Sequence, residues 1–219
     1  MTPITFWFDP ISPYAYLAFE RLPQALEGCS YAVSYRPLLF AGLLAHWGQL
    51  GPAEIAPKRH WTYRQVAWLA HRDGIPLSMP AAHPFNPLAL LRLLLACGED
   101  GTANRYQCET VLHQVWRSGE AGDDAQALAR LTAQLVPARD PQSAAAKQAL
   151  RANTEAATAR GIFGVPTFEL PRSDPALGPL LFWGADALDM VAARLRGEPW
   201  FDDEWDRASA VPAGVQRTR

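Results

Sequence analysis

Strand-like sequence is confined to the two ends of this chain, and that restricts its fold more than any other feature. Ile4-Thr5-Phe6-Trp7-Phe8 is a short apolar run of β-branched and aromatic residues, which predicts a buried first strand. Residues 31–36 alternate, carry two tyrosines and are closed by Pro37, which predicts a second strand. A helix-type run lies between them and ends at Gly28, so residues 1–37 read as β-α-β, the strands parallel and joined by a right-handed crossover. Strand character returns only at 165–170 and 180–183, around the turn-rich residues 171–179, which predicts a β-hairpin. A last helix follows at 187–195, with Gly184-Ala185-Asp186 as its cap. The order is β-α-β, a block of helices, then β-β-α.

The first strand meets the first helix at Asp9-Pro10-Ile11-Ser12-Pro13-Tyr14. Ser12 stands where an N-cap belongs and Pro13 where the first helical residue belongs. A strand running straight into a capped helix places the cap hydroxyl at the carboxyl edge of the sheet. There it lies beside unpaired backbone N–H groups and the positive end of the helix dipole, a position that suits an anion or a thiolate. Taken alone, the stretch is explained more simply by Ser12 capping the helix.

Residues 38–161 carry no strand signal. Residues 38–47 predict a short helix under the sheet, followed by a loop at 48–52. Pro57 opens a helix carrying Trp61, Tyr63, Trp68 and Leu69 that stops near Gly74, and residues 75–84 are a Pro-rich extended connection. Asn86-Pro87 is a second cap-and-first-turn signal, before a helix at 88–96 that is apolar on nearly every face and so central to the helical layer. Further helices are predicted at 103–117, with Tyr106, Val111, Leu112, Val115 and Trp116 on the buried side, at 125–135, and at 141–160, ended by Gly161. The tail, 197–219, is polar and is expected to be poorly ordered beyond Trp205.

A chain of 219 residues, 49% hydrophobic and 19% charged, can bury the core of one large domain or of a domain with a sizeable insertion. A formal net charge of -2 and the absence of a basic cluster argue against nucleic acid as a partner. No secretory signal precedes the first strand, and the apolar runs are too short to span a bilayer. Cys29, Cys97 and Cys108 are scattered, form no CxxC pair and have no zinc spacing, so the chain reads as cytoplasmic, thiol-reduced and without a metal. Most of the eight Trp and six Tyr are expected in the core, with some lining an aromatic-accepting pocket.

Gly164-Val165-Pro166-Thr167 opens the hairpin. A proline that begins a strand cannot donate to the ladder, which fits an edge or a cis bond. A plain strand-initiating proline and a cis-proline facing the first helix both satisfy the sequence.

Taken together, Phe8-Asp9-Pro10-Ile11-Ser12-Pro13-Tyr14-Ala15-Tyr16-Leu17-Ala18, Arg36-Pro37-Leu38-Leu39, Pro57-Lys58-Arg59, Pro84-Phe85-Asn86-Pro87, Gly161-Ile162-Phe163-Gly164-Val165-Pro166-Thr167-Phe168 and Phe182-Trp183-Gly184-Ala185-Asp186 form an ordered set across nearly the whole chain. The set resembles the family of 2-hydroxychromene-2-carboxylate isomerases and kappa-class glutathione transferases, within the larger DsbA-like group. The resemblance implies an α/β, thioredoxin-like fold with a large all-α insertion: residues 1–38 and 162–219 form the thioredoxin-like domain and 39–161 the inserted helical domain. It implies a homodimer that uses glutathione and acts on a small aromatic substrate in aromatic compound degradation. Ser12 stands where redox relatives carry the first Cys of CxxC, and the resemblance makes it the catalytic hydroxyl that faces the glutathione sulfur. Val165, before Pro166, would pair through its backbone with the cysteinyl unit, and Asp186 would bind the γ-glutamyl ammonium. Lys58 and Gln49 would lie near the glycine end or the substrate carboxylate, and Arg36 and Asn86 would contact substrate.

Each of these has a structural alternative: Lys58 as a solvated first-turn charge, Asp186 and Asn86 as helix caps. No role is assigned to any of the five His, although His60 and His83 lie where they could approach a pocket. Two departures from the family pattern stand out. Ala187 replaces an Arg, and Gln65 replaces an acidic residue, both near the γ-glutamyl end. The implied reaction interconverts 2-hydroxychromene-2-carboxylate and trans-o-hydroxybenzylidenepyruvate. The alternatives are a kappa-like transferase or peroxidase on another electrophile, and a thioredoxin-fold binding protein without catalysis.

Overall fold

The computed structural model describes residues 1–98 and 100–214. Four strands, β1 (Thr2–Phe8), β2 (Tyr31–Pro37), β3 (Thr167–Leu170) and β4 (Leu180–Trp183), form one sheet in the order β2-β1-β3-β4. β1 pairs with β2 in parallel, and β3 is antiparallel to both β1 and β4. The β-α-β half and the β-hairpin therefore share a sheet, as the sequence predicts, with the ends of β1 and β4 and the start of β3 at one edge.

Ten helices surround the sheet: α1 (Pro13–Ala25), α2 (Phe40–Trp47), α3 (Ala56–Arg72), α4 (Leu88–Cys97), α5 (Arg105–Arg117), α6 (Ala125–Leu135), α7 (Ala144–Ala159), α8 (Leu188–Leu195), α9 (Trp200–Asp203) and α10 (Trp205–Ser209) are those of the described residues. Alternation along β1 sets the two layers. Ile4, Phe6 and Phe8 face α1 and α8 and join a core that runs on into α4 and α5 through Leu90, Leu94, Val111 and Trp116. Trp7 points to the opposite face, where Leu38, Leu43 of α2, Ala157 of α7, Ile162 and Val165 cover it. Packing runs across 38/39 and 161/162 on both faces of the sheet.

Several elements depart from the sequence expectation, each for a local reason. α7 begins at Ala144 rather than Pro141 because Ser143 takes the cap, its Oγ accepting from Ala146 N at 3.2 Å. α5 begins at Arg105 because Asn104 and Gln107 form a reciprocal capping box, while Ala103 N bonds Tyr35 O beside β2. Tyr106 is exposed rather than buried. Asp186 does not cap α8: the cap position is Ala187, with no side-chain bond. Trp7 and Trp116 are buried, but Trp47, Trp61, Trp68, Trp183 and Trp200 are exposed, so most tryptophans lie outside the core.

The tail folds beyond Trp205 as far as Ser209; residues 215–219 lie outside the described residues. Phe201 is buried against Phe182 with ring centroids 5.5 Å apart, and Trp205 lies 5.1 Å from Phe182. Arg172 pairs with Asp206 and Arg194 with Asp202, fixing the tail to the hairpin and to α8. Phe201→Ala is expected to lower stability by about 3 kcal/mol through the cavity it opens. Chemical denaturation measures this, and a change near zero would show that the tail does not cover Phe182.

Candidate functional site

The backbone leaves β1 at Phe8, turns through Asp9, Pro10 and Ile11, and enters α1 at Pro13. Ser12 has extended dihedrals (φ -87°, ψ 116°), and its Oγ accepts from Ala15 N at 3.2 Å, so it is an N-cap. The same hydroxyl donates to Val165 O at 3.3 Å across the sheet edge. Capping and facing the β3 entry are therefore one geometry. The Val165–Pro166 bond is cis. Thr167 Oγ1 donates to Gly164 O at 2.8 Å and Gly184 N to Pro166 O at 2.9 Å, which pins this turn to β4.

At 3.3 Å the Ser12–Val165 bond is long for an O–H···O contact, hence weak. A hydroxyl has one hydrogen to give, and an incoming anion at the α1 N-terminus competes for it on favourable terms. The Val165 carbonyl has a second lone pair for a ligand N–H. These features fit a peptide-like thiol: a backbone acceptor for its amide, a redirectable O–H for its sulfur, and a helix N-terminus to favour the anion. Among the described residues, none of Cys29, Cys97 and Cys108 is adjacent in sequence to Ser12 or Val165. Positions 12 and 15 are Ser and Ala, Cys108 is fully buried with its thiol pushed well above the usual range by desolvation, and burial also raises Cys97.

Three residues that carry no role in the sequence reading hold the loop in place. Asp9 is fully buried; Oδ1 accepts from Ile11 N at 3.0 Å and Oδ2 from Phe40 N at 2.9 Å. Burial pushes its pKa up to about 7 against the pull of those two bonds. Trp116 Nε1 donates to Pro10 O at 2.9 Å, and His83 Nε2 donates to Ile11 O at 2.8 Å. Since a carbonyl only accepts, Nε2 carries a proton, and the other ring nitrogen meets Tyr63 Oη at 2.8 Å. Burial lowers the His83 pKa, with the bond to Ile11 opposing. A charged residue squeezed between a buried strand and a buried helix was a signal for Asp9. Nothing local points to His83 or Trp116.

Beyond Ser12 the rim is built from α1, α3 and the turn before α8. Tyr14 Oη donates to Gln65 Oε1 at 2.6 Å. Burial raises the Tyr14 pKa, a hydrogen bond with Thr62 lowers it, and the charge of Asp186 raises it, which sets the exposed Asp186 carboxylate in the same field. Gly184 has φ +102°, and a Cβ there would meet Asp186 Oδ1 at 2.3 Å, so this turn requires glycine. The structure thus brings Ser12, Val165 and Pro166 together, with Gln65 bonded to Tyr14.

The remaining predicted residues are placed as follows. Lys58, in the first turn of α3, and Gln49, just past α2, have exposed side chains. Asn86 is exposed, and its Oδ1 accepts from Leu88 N at 3.1 Å as α4 begins. Arg36 lies on the Trp7 face of the sheet, with its guanidinium 5.7 Å from that ring and bonded to Asn153 Oδ1 at 3.2 Å. That bond ties it to α7. Among the described residues, no His, Cys, Asp or Glu group is arranged to hold a metal, and no helix is long and apolar enough to cross a membrane.

Comparison with known proteins agrees with this fold. Residues 3–196 match the family described as DSBA-like thioredoxin domain. The 2-hydroxychromene-2-carboxylate isomerase of Pseudomonas putida is 29% identical over 200 residues, covering 88% of this chain and 93% of that protein. Glutathione s-transferase kappa 2 of Caenorhabditis elegans is 27% identical, covering 86% and 89%. Among solved structures, a selenomethionine 2-hydroxychromene-2-carboxylate isomerase superposes with a TM-score of 0.75 at 24% identity, over 95% of this chain and all of that one, which shows the shared fold.

The raised Asp9 pKa has a consequence for stability. Between the unfolded value of 3.8 and about 7, the folded state holds a proton that the unfolded chain has lost. This contribution therefore weakens as pH rises through that window and is constant above it. Urea denaturation of wild type and Asp9→Asn across the window is expected to show their stability difference moving in favour of Asn as pH rises. A difference independent of pH would contradict the assignment.

Proposed function

This chain belongs to the DSBA-like thioredoxin domain family, and on that footing we propose that it is a glutathione-dependent isomerase interconverting 2-hydroxychromene-2-carboxylate and trans-o-hydroxybenzylidenepyruvate in the breakdown of naphthalene-type aromatics. The observation that carries this reading is the Ser12 hydroxyl at the α1 N-terminus, within hydrogen-bond reach of Val165 O and with no cysteine beside it. Similarity to proteins named as isomerases and kappa transferases supports the same class of chemistry.

Glutathione, when bound, supplies a thiolate whose reversible addition to a conjugated double bond lets the fragment rotate before elimination restores the bond. The residues of this chain do the rest. Ser12 donates its hydrogen toward the sulfur, and the first-turn N–H groups of α1 favour the ionised form. Val165, held by the Pro166 turn, receives the cysteinyl backbone. Asp186 takes the γ-glutamyl ammonium, and Lys58 with Gln49 the carboxylate at the glycine end. Asn86 and Arg36 meet the aromatic substrate, Arg36 only after releasing Asn153. A serine at position 12 cannot form a mixed disulfide, so the anion site is kept while redox cycling is lost. We place the enzyme in the cytoplasm as a homodimer.

A kappa-like transferase acting on another electrophile is the second reading, favoured by the similarity to the nematode kappa transferase. Following the absorbance of chromene carboxylate with and without glutathione separates the two: the isomerase requires the thiol without consuming it, whereas a transferase consumes it. No reaction under either condition would contradict the isomerase and favour a transferase acting on another electrophile.

Glutathione at a hundred times its Kd is expected to stabilise the protein by about 2.7 kcal/mol, seen as a rise in melting temperature. An unmoved melting temperature at saturating concentrations would favour a protein that has lost the site.

A further inference from the structure

α2 touches both walls of the thiol site. At its first residue, Phe40 N donates to Asp9 Oδ2, and the helix has no side-chain cap of its own because its cap position is Leu39. Asp9 thus caps α2 from the other side of the site loop. At its last residue, Trp47 Nε1 donates to Ile162 O at 2.9 Å, three residues before Val165, and Leu43 packs in the same cluster as Ile162 and Val165. The other Asp9 oxygen holds Ile11 N, one residue before Ser12, and the Asp9 carbonyl accepts from Ser12 N at 3.0 Å.

We propose that Asp9 is a positioning residue of the thiol site, its two carboxylate oxygens tying the Ser12 loop to the start of α2 and so setting the Ser12 hydroxyl against Val165. This rests on the reading of Ser12 and Val165 as a thiol-binding pair. Both oxygens accept from an N–H, so the ionised carboxylate satisfies both bonds. A protonated carboxyl keeps one good acceptor and turns the other oxygen into a hydroxyl facing a donor. Desolvation opposes the ionised form, which leaves the group balanced near neutral pH.

The titratable groups around the loop are few. His83 binds Ile11 O, with Tyr63 behind it, and α1 contributes Tyr14. α2 has no acidic residue in its first turn and carries His46 only in its last. α7 meets this corner with Thr154, whose Oγ1 accepts from Leu39 N, and β3 meets it with Val165. Of these, His83 is the one that competes as a source of pH dependence, and burial moves it below the ordinary imidazole range, away from that of Asp9.

Two measurements test this. In the protein without ligand, the NMR amide shifts of Ile11 and Phe40 are expected to titrate together with one midpoint near 7 and to lose that step in Asp9→Asn. Separate midpoints, or a step that survives the substitution, overturn it. Should Asp9→Asn fail to fold, Phe40→Pro removes one donor at a first-turn position that tolerates proline. The Ile11 midpoint is then expected to rise, and an unchanged midpoint overturns the coupling.

The second measurement is the Kd of S-methylglutathione, which has no ionisable thiol. In wild type it is expected to tighten by about tenfold from acid to alkaline pH across the Asp9 step, the worth of one hydrogen bond to a charged group, and to be flat in Asp9→Asn. A flat wild-type profile, or Asp9→Asn losing stability while keeping the wild-type profile, overturns the positioning role. Failure of the wild type to bind S-methylglutathione at any pH would instead count against the glutathione reading and would overturn a positioning role for glutathione, with the amide titration still deciding whether Asp9 holds both segments.

Discussion

The N-terminus of α1 is the constraint around which this molecule is arranged. A helix that starts where a central strand stops leaves backbone N–H groups without partners at the edge of a buried sheet. Ser12 satisfies one of them at Ala15, and the hydroxyl's own hydrogen then has to find an acceptor, which it does at Val165 O. A cap of this kind joins the two halves of a discontinuous fold. Its donor comes from the β-α-β end of the chain, and its acceptor lies 153 residues later at the start of the hairpin.

The supporting structure fixes that edge with hydrogen bonds drawn from distant parts of the chain. Three polar groups of the approach loop are held by Asp9 of the loop itself, by Trp116 of α5 and by His83 of the connection before α4. Their cost is a buried carboxyl and a half-buried imidazole, desolvation favouring the neutral form of each. α2 then bridges from this loop to the turn before Val165. Rigid support on one side and a single weak hydrogen bond on the other is an arrangement suited to a site that must change partners when an anion arrives.

Much of this was legible because it is local. Alternation in residues 31–36, the Ser12-Pro13 start of α1 and the proline opening β3 each follow from backbone chemistry within a few residues. What the sequence concealed is long-range. His83 is 72 residues from Ile11, and Trp116 is 106 residues from Pro10, and no periodicity encodes either bond. Asp186 resembled a cap, but the helix starts later and leaves its carboxylate exposed. Arg36 looked available for substrate, yet Asn153 and the Trp7 ring claim it from α7 and β1. Gln65, a departure from the family pattern by sequence, sits in the rim as the acceptor for Tyr14. The tail beyond Trp205 looked poorly ordered by its polarity alone, because Asp206 finds its partner Arg172 34 residues earlier in the chain.

The central claim is that Ser12 and the α1 N-terminus stabilise a bound thiolate. The ionisation of glutathione in its complex, followed by the ultraviolet absorbance of the thiolate as pH is varied, tests this most directly. A free cysteine thiol ionises near ~8.5. The account predicts a midpoint well below that in the wild-type complex, moving back toward it in Ser12→Ala while the fold is retained. A bound thiol that ionises at the free value, or a lowered value that Ser12→Ala leaves untouched, would contradict it.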